Sequence, residues 1–179
     1  GDFIVTTPGG WATVRVTVEG EQPTITWSAE HGDLRPGGQS AFWIAPESPW
    51  AYEIEVTATE GSQSVTETIA VLVLDPPLRW VANDVTLDEA SQRASWALGA
   101  TNTSDRAVVK AELVAVLLGS SGEVVSLLPD FEWNPSAPVE PGDARGVRYR
   151  FPDDRVAEAY ATILNVTYSD GTRWDWTTR

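Results

Sequence analysis

Cysteine and methionine are both absent from this 179-residue chain, and lysine and histidine occur once each, at Lys110 and His31. Without cysteine there are no disulfides, thiolate metal ligands or thiol nucleophiles, and cysteine usage says nothing of redox compartment. No apolar run approaches the roughly 18 residues that cross a bilayer as a helix, so no membrane insertion is expected of the chain as given. Positive charge is scarce as well. Twelve basic residues face 26 acidic ones, a net charge of −14, which repels phosphate backbones and anionic headgroups. Nucleic acid is therefore not an expected partner. The chain starts at Gly1 without an initiator methionine, which fits a cleaved export signal, a lipoprotein cut just after its lipidated cysteine, or a residue added for expression.

What is present is β-pattern. Residues 107–118, AVVKAELVAVLL, carry apolar side chains in both phases of a period-two alternation: Val109, Ala111, Leu113, Ala115 and Leu117 on one side, Val108, Val114, Val116 and Leu118 on the other. A strand covered on both faces over its second half reads this way. An amphipathic helix fits the periodicity too, but the valine content and the Gly119-Ser120-Ser121-Gly122 turn that follows favour a strand.

Further strands are expected at residues 3–6, 11–19 (Val14, Val16 and Val18 inward), 24–28 (Ile25 and Trp27 inward), 41–44, 51–59 and 65–74. Residues 30–39, EHGDLRPGGQ, read as a loop. Strands every 10 to 12 residues with Gly and Pro punctuation are the signature of a sandwich. Asp75-Pro76-Pro77-Leu78 reads as a semi-rigid spacer, because two consecutive prolines cannot donate to a ladder. Beyond it, strands are expected at 80–87, 93–103, 107–118, 123–128 and 147–151, with a final hairpin of 160–168 and 172–177 across Ser169-Asp170-Gly171. Residues 129–141 read as a proline-rich excursion. The expectation is an all-β chain of two tandem Ig-like β-sandwiches, residues 1–75 and 79–179, joined by a short Pro-Pro linker.

Two resemblances sharpen this. ITWSAEHGDL, AFWIAP and YEIEVTATEG with the valine-rich strand that follows, over residues 23–74, resemble the bacterial Ig-like and PKD-like modules of surface proteins. ALGATNTSDRAVVKAELVAVLLGSSGEVV followed by PVEPGDARGVRYRF, over residues 95–169, resembles FxLYD-like and related Ig-like extracytoplasmic modules. The resemblance implies an extracellular or cell-surface location and no common enzymatic activity.

No catalytic constellation stands out. His31 lies in a polar loop, Glu30-His31-Gly32-Asp33, with no G-x-S-x-G element to supply a nucleophile. Acids such as Glu53 and Glu55 alternate outward on strands rather than converging as a glycosidase pair must. No cofactor is expected; calcium is the one ion with candidate ligands, at Asp153-Asp154 or at Asp84, Asp88 and Glu89, without D-x-D-x-D-G spacing. Asn102-Thr103-Ser104 and Asn165-Val166-Thr167 match the N-glycosylation pattern, and neither is assigned a glycan.

The nine tryptophans are the most informative residues. Each one buried removes about 150–250 Å² from water, about 4–6 kcal/mol, so most belong in a core or an interface. Trp27 and Trp96 fall on inward phases. Trp50 and Trp133 in proline-rich loops, and Trp174 and Trp176 on one face of the last strand, are candidates for contact with a partner or a glycan. Candidate assembly residues are Phe3, Ile4 and Val5, a short terminal strand able to add to a neighbour's edge, and Val114, Val116 and Leu118. The expected function is a noncatalytic structural or adhesive module that engages a protein partner or itself. The alternative is a carbohydrate-binding module that uses its tryptophans on a polysaccharide.

Overall fold

A computed structural model describes residues 4–88, 91 and 93–175. Fourteen strands and no helix are found among them. The chain divides into two compact units, Gly1–Asp75 and Pro76–Arg179. Each is a two-sheet sandwich with its own core.

In the first unit, β1 (Ile4–Thr6), β7 (Gln63–Val73), β6 (Ala51–Glu60) and β3 (Thr24–Ala29) form one sheet in the order β1-β7-β6-β3. The other, in the order β2-β5-β4, contains β2 (Trp11–Arg15), β5 (Ser40–Ile44) and β4 (Asp33–Gly37). Alternation sets the inner faces: Ala12, Val14 and Trp43 from the smaller sheet meet Ile54, Val71 and Val73 from the larger in one cluster. Trp43 is fully buried, and its indole N–H donates to the His31 carbonyl at 2.9 Å.

Two expectations need correction here. Residues 30–39 contain β4, which pairs with β5 through Leu34 opposite Trp43 although its sequence is rich in turn residues. Pro36 is tolerated because β4 lies at the edge of its sheet. The strand expected over residues 11–19 ends at Arg15. Val16 keeps only a bond from its N–H to the Gln39 carbonyl, at 2.9 Å, and Val16 and Val18 are half-buried rather than core.

The second unit places β12 (Ala144–Phe151), β9 (Arg93–Asn102) and β8 (Leu78–Asp88) in one sheet. The facing sheet is β11 (Val124–Trp133), β10 (Val108–Leu118), β13 (Glu158–Tyr168) and β14 (Arg173–Asp175). Trp96 and Leu98 from β9, Leu113 and Leu117 from β10, Ile163 from β13 and Trp133 share one core. Beside it, Trp96 stacks on Phe131 at 5.4 Å, and the ring of Tyr149 lies 4.4 Å from that of Phe131. In β10, Ala115, Val116, Leu117 and Leu118 are all buried, as the two-phase apolar pattern requires.

Leu78 is not a spacer residue. It opens β8, pairs with Asn102 and is buried in the second core, while the Thr103 N–H holds the Pro77 carbonyl at 2.9 Å. The proline-rich excursion is also shorter than its composition implies. Strand β11 runs through Pro129 to Trp133, because β11 is an edge strand and the missing N–H costs no ladder bond there.

Candidate functional site

The least complete part of the first sandwich is the outer edge of β7. Parallel pairing with β1 covers only three of its residues, Ile4 opposite Val71, Val5 opposite Leu72 and Thr6 opposite Val73. Residues 63–70 have no strand beside them among the described residues. Glu60 and Gln63 flank the two-residue Gly61-Ser62 turn and so form the hydrogen-bonded pair next to the loop. From there the odd-numbered residues of β7 turn their N–H and C=O groups toward β6. The Val73 N–H to the Trp50 carbonyl, at 2.8 Å, keeps that phase, and the Leu74 N–H, in the other phase, reaches the Thr6 carbonyl at 3.0 Å. The backbone groups of Ser64, Thr66, Thr68 and Ala70 therefore point out of the sheet edge.

Behind this edge the two sheets part. A cleft of about 280 Å³ is lined by Val16, Val18, Pro23, Val56, Ala58 and Val65, with Glu19, Glu60 and Glu67 at its rim. Val65 sits in the same phase of β7 as the core residues Val71 and Val73 yet is 65% exposed, because nothing in the opposite sheet reaches it. Glu67, again in the core phase, brings a charge to the inner face. Glu60 has a local task, accepting the Glu21 and Gln22 N–H groups at 2.9 and 3.0 Å to fix the turn. Residues 1–75 carry 11 acidic and 2 basic side chains, hence −9 of the chain's −14.

Edge strands are normally protected by lysine, proline, a bulge or an inward-pointing charge. Of these, residues 63–70 have only the last, at Glu67. An inward carboxylate penalises indiscriminate pairing and is relieved by a strand that brings a cation to it.

The residues singled out from sequence disperse. Trp50 is 72% exposed and open to a partner. Trp133 is fully buried and donates from Nε1 to the Leu98 carbonyl at 3.2 Å, which removes it as a glycan contact. Trp174 is half-buried against the second core. Trp176 and Phe3 lie outside the described residues. Ile4 and Val5 are half-buried in β1, where Ile4 packs on the first core. Val114 is half-buried, and Val116 and Leu118 are each 1% exposed, so the apolar side chains displayed by that sheet are instead Val124 and Leu127 of β11. Trp27, expected inward, packs half-buried against the first core and donates from Nε1 to the Gly38 carbonyl at 2.8 Å.

The candidates for chemistry are engaged otherwise. His31 is exposed, its ring edge-on to Tyr52 at 5.5 Å. Asp153 is gripped by Arg155, with Nη2 to Oδ2 at 2.7 Å; that hydrogen bond, aided by the guanidinium charge, holds its carboxyl down at about 2. Asp88 accepts the Ser91 hydroxyl at 2.7 Å. No group of three or more acidic or histidine side chains with the geometry of a metal site occurs among the described residues.

The open edge has little signature along the chain because it depends on which strands lie beside β7. Its one legible sign was Glu67, a charge in the apolar phase of an otherwise regular strand.

No protein-family model matches the chain, and no curated protein does. Among solved structures, a hypothetical protein from Peptoclostridium difficile 630 is similar over 55% of this chain and 86% of that one, with 11% identity and a TM-score of 0.40. The titin domains Z1Z2 in complex with telethonin align over 96% of this chain and 87% of that one, with 18% identity and a TM-score of 0.35. A chimeric titin Z1Z2-Z1Z2 tandem carrying an exogenous GRGDS peptide from fibronectin aligns over 97% and 90%, with 12% identity and a TM-score of 0.30. The strand orders and the two separate cores establish a pair of tandem Ig-like sandwiches without help from these likenesses.

Proposed function

We propose that this protein is a noncatalytic protein-interaction module that receives an extended segment of a partner along the free edge of β7. The observation that carries the reading is the coincidence of an edge at residues 63–70, unpaired among the described residues, with a cleft beside it whose lining includes Val16, Val18, Val56, Ala58 and Val65. A strand added at such an edge gains main-chain hydrogen bonds from Ser64, Thr66, Thr68 and Ala70, and places alternate side chains in the cleft. The cleft selects apolar residues at those alternate positions. Glu67, on a unit of net charge −9, selects a lysine or arginine among them. Placement outside the cell, an adhesive or scaffolding role and kinship with PKD-like and FxLYD-like modules belong to the same reading, supported by the sequence patterns of residues 23–74 and 95–169. No cofactor is needed for any of it.

Hydrogen exchange tests this directly. Synthetic peptides of alternating valine and threonine with one central arginine are expected to protect the amides of Ser64, Thr66 and Thr68, and a peptide with glutamate at that place is not. Thr66→Pro removes an outward N–H that bonds nothing in the monomer, so the fold is retained while protection disappears. Unprotected edge amides at saturating peptide, with the wild-type fold intact, would refute the proposal.

The carbohydrate alternative narrows to Trp50, the one candidate tryptophan strongly exposed among the described residues. Loss of a polysaccharide-induced fluorescence change in Trp50→Ala is the result that would favour it.

A further inference from the structure

A different surface, on the second sandwich, has the opposite charge. The outer face of the β12-β9-β8 sheet holds a groove of about 360 Å³ lined by Arg93, Arg148 and Arg150, with Thr86, Ser91 and Ser95 among its polar neighbours. Register explains the gathering. Arg150 lies opposite Ser95, and Ser95 opposite Thr86, while Arg148 is two residues along β12 and Arg93 two residues along β9, all in one phase of the pleat. Three arginines thus share one face of the sheet, with Asp88 opposite Arg93.

Unsatisfied groups lie on both sides of this arrangement. None of the three arginines forms an ion pair with a carboxylate among the described residues, whereas Arg35, Arg106, Arg145, Arg155 and Arg173 each do. Ser95 Oγ, at the centre, is shut off from solvent and has no hydrogen-bond partner. The Thr86 hydroxyl donates to the Ser95 carbonyl at 3.4 Å and leaves that Oγ untouched. One carboxylate, Asp88, lines the groove, and it accepts the Ser91 hydroxyl; Asp84 follows two residues before Thr86 on the same face. Within the groove three positive charges oppose one negative.

We propose that this groove binds an oxyanion group, a sulfate, phosphate or carboxylate, through the forked donors of Arg148, Arg150 and Arg93. Guanidiniums suit such groups because their paired N–H bonds match the spacing of two anionic oxygens. The volume lies at the lower end of that of small-ligand sites, large enough for the charged group and the moiety that carries it. The chain's net charge does not forbid this. Screening over about 8 Å at physiological ionic strength leaves a small anion in contact mainly with the groove itself. A second copy of the chain would bring a whole acidic surface within that distance and is disfavoured as the occupant. The site shares no residue with the β7 edge and stands independently of the proposed function.

The test uses the full chain and amide chemical shifts, with sodium sulfate, dextran sulfate and neutral dextran as probes. Sulfate is expected to shift Ser95 and its neighbours on β9 and β12 saturably, and dextran sulfate to shift the same amides in competition with it. Comparable affinity for both identifies a free oxyanion as sufficient, and tighter binding of the polymer identifies a sulfated chain; either supports the site. The double variant Arg148→Gln with Arg150→Gln alters only exposed side chains and should weaken binding about tenfold or more. Unchanged affinity in the double variant, or equal shifts with neutral dextran, would each overturn the proposal.

Discussion

Asn102 Nδ2 donates to the carbonyl of Val139 at 2.7 Å across 37 residues of chain, and to the Arg106 carbonyl at the same distance. Its Oδ1 accepts the Ser104 N–H at 2.9 Å and the Ser104 hydroxyl at 2.7 Å. The side chain is fully buried with its hydrogen-bonding capacity filled, and it ties the end of β9 to the segments on either side of β10. Asn102→Ala takes one of two donors from each of the Val139 and Arg106 carbonyls and the acceptor from the Ser104 N–H, and should cost about 1–3 kcal/mol. A lower urea midpoint with an unchanged slope is the expected result. The amide is also inaccessible to glycosylation in the folded protein, so the Asn-Thr-Ser triplet serves as a structural knot.

Gly32 holds φ at +81°, and a Cβ there would stand 2.5 Å from both the Ile44 carbonyl oxygen and Trp43 Nε1. Those atoms belong to the strand and the indole that anchor the first core, so neither can yield cheaply. Gly32→Ala is expected to destabilise the first sandwich by about 2–4 kcal/mol. Thermal unfolding should move the first unit's transition alone.

Tyr149 donates its hydroxyl to the Glu132 carbonyl at 2.7 Å. Burial pushes its ionisation up to about 12. With the folded value above the unfolded one near 10, the stabilising contribution is complete below about pH 10 and is lost as pH rises through about 12. Alkaline absorbance titration should show a late phenolate step that disappears in Tyr149→Phe.

Asp153 behaves in the reverse sense. Its carboxyl, held at about 2 by the hydrogen bond from Arg155, contributes stability above the ordinary carboxylate range near 3.9 that fades as pH falls toward 2. Arg155→Ala should raise the carboxyl titration, followed by carbon chemical shift, toward the ordinary range, with the backbone N–H of residue 155 still holding part of the lowering. A midpoint that stays at about 2 in that variant would show that the backbone N–H of residue 155, and not the guanidinium, sets it.

Much of the fold was legible along the chain. Alternation placed β6, β9, β10 and β13 because a half-buried strand needs apolar residues at every second position, and the two-phase pattern of residues 114–118 foretold burial on both faces. Composition misled where an edge was involved. Pro36 and Pro129 read as strand breakers, yet each lies in an edge strand, where a residue without an N–H can keep its place. Trp133 read as a loop aromatic for the same reason and is in fact core.

The candidate sites were much less visible. Arg148 and Arg150 read only as the polar phase of β12, and nothing near them in sequence names Arg93 or Ser95 as their neighbours; strand pairing alone brings them together. The edge of β7 is likewise visible only from pairing, since among the described residues β1 accompanies it at Val71, Leu72 and Val73 alone.

By itself the sequence determined that this chain is all-β, that it has two hydrophobic cores and that it has no thiol chemistry, since these follow from residue types and their period. The tertiary structure decided which polar groups are left without partners. Hydrogen-bond satisfaction is a property of neighbours in space, and a strand sequence does not state which strand will lie beside it.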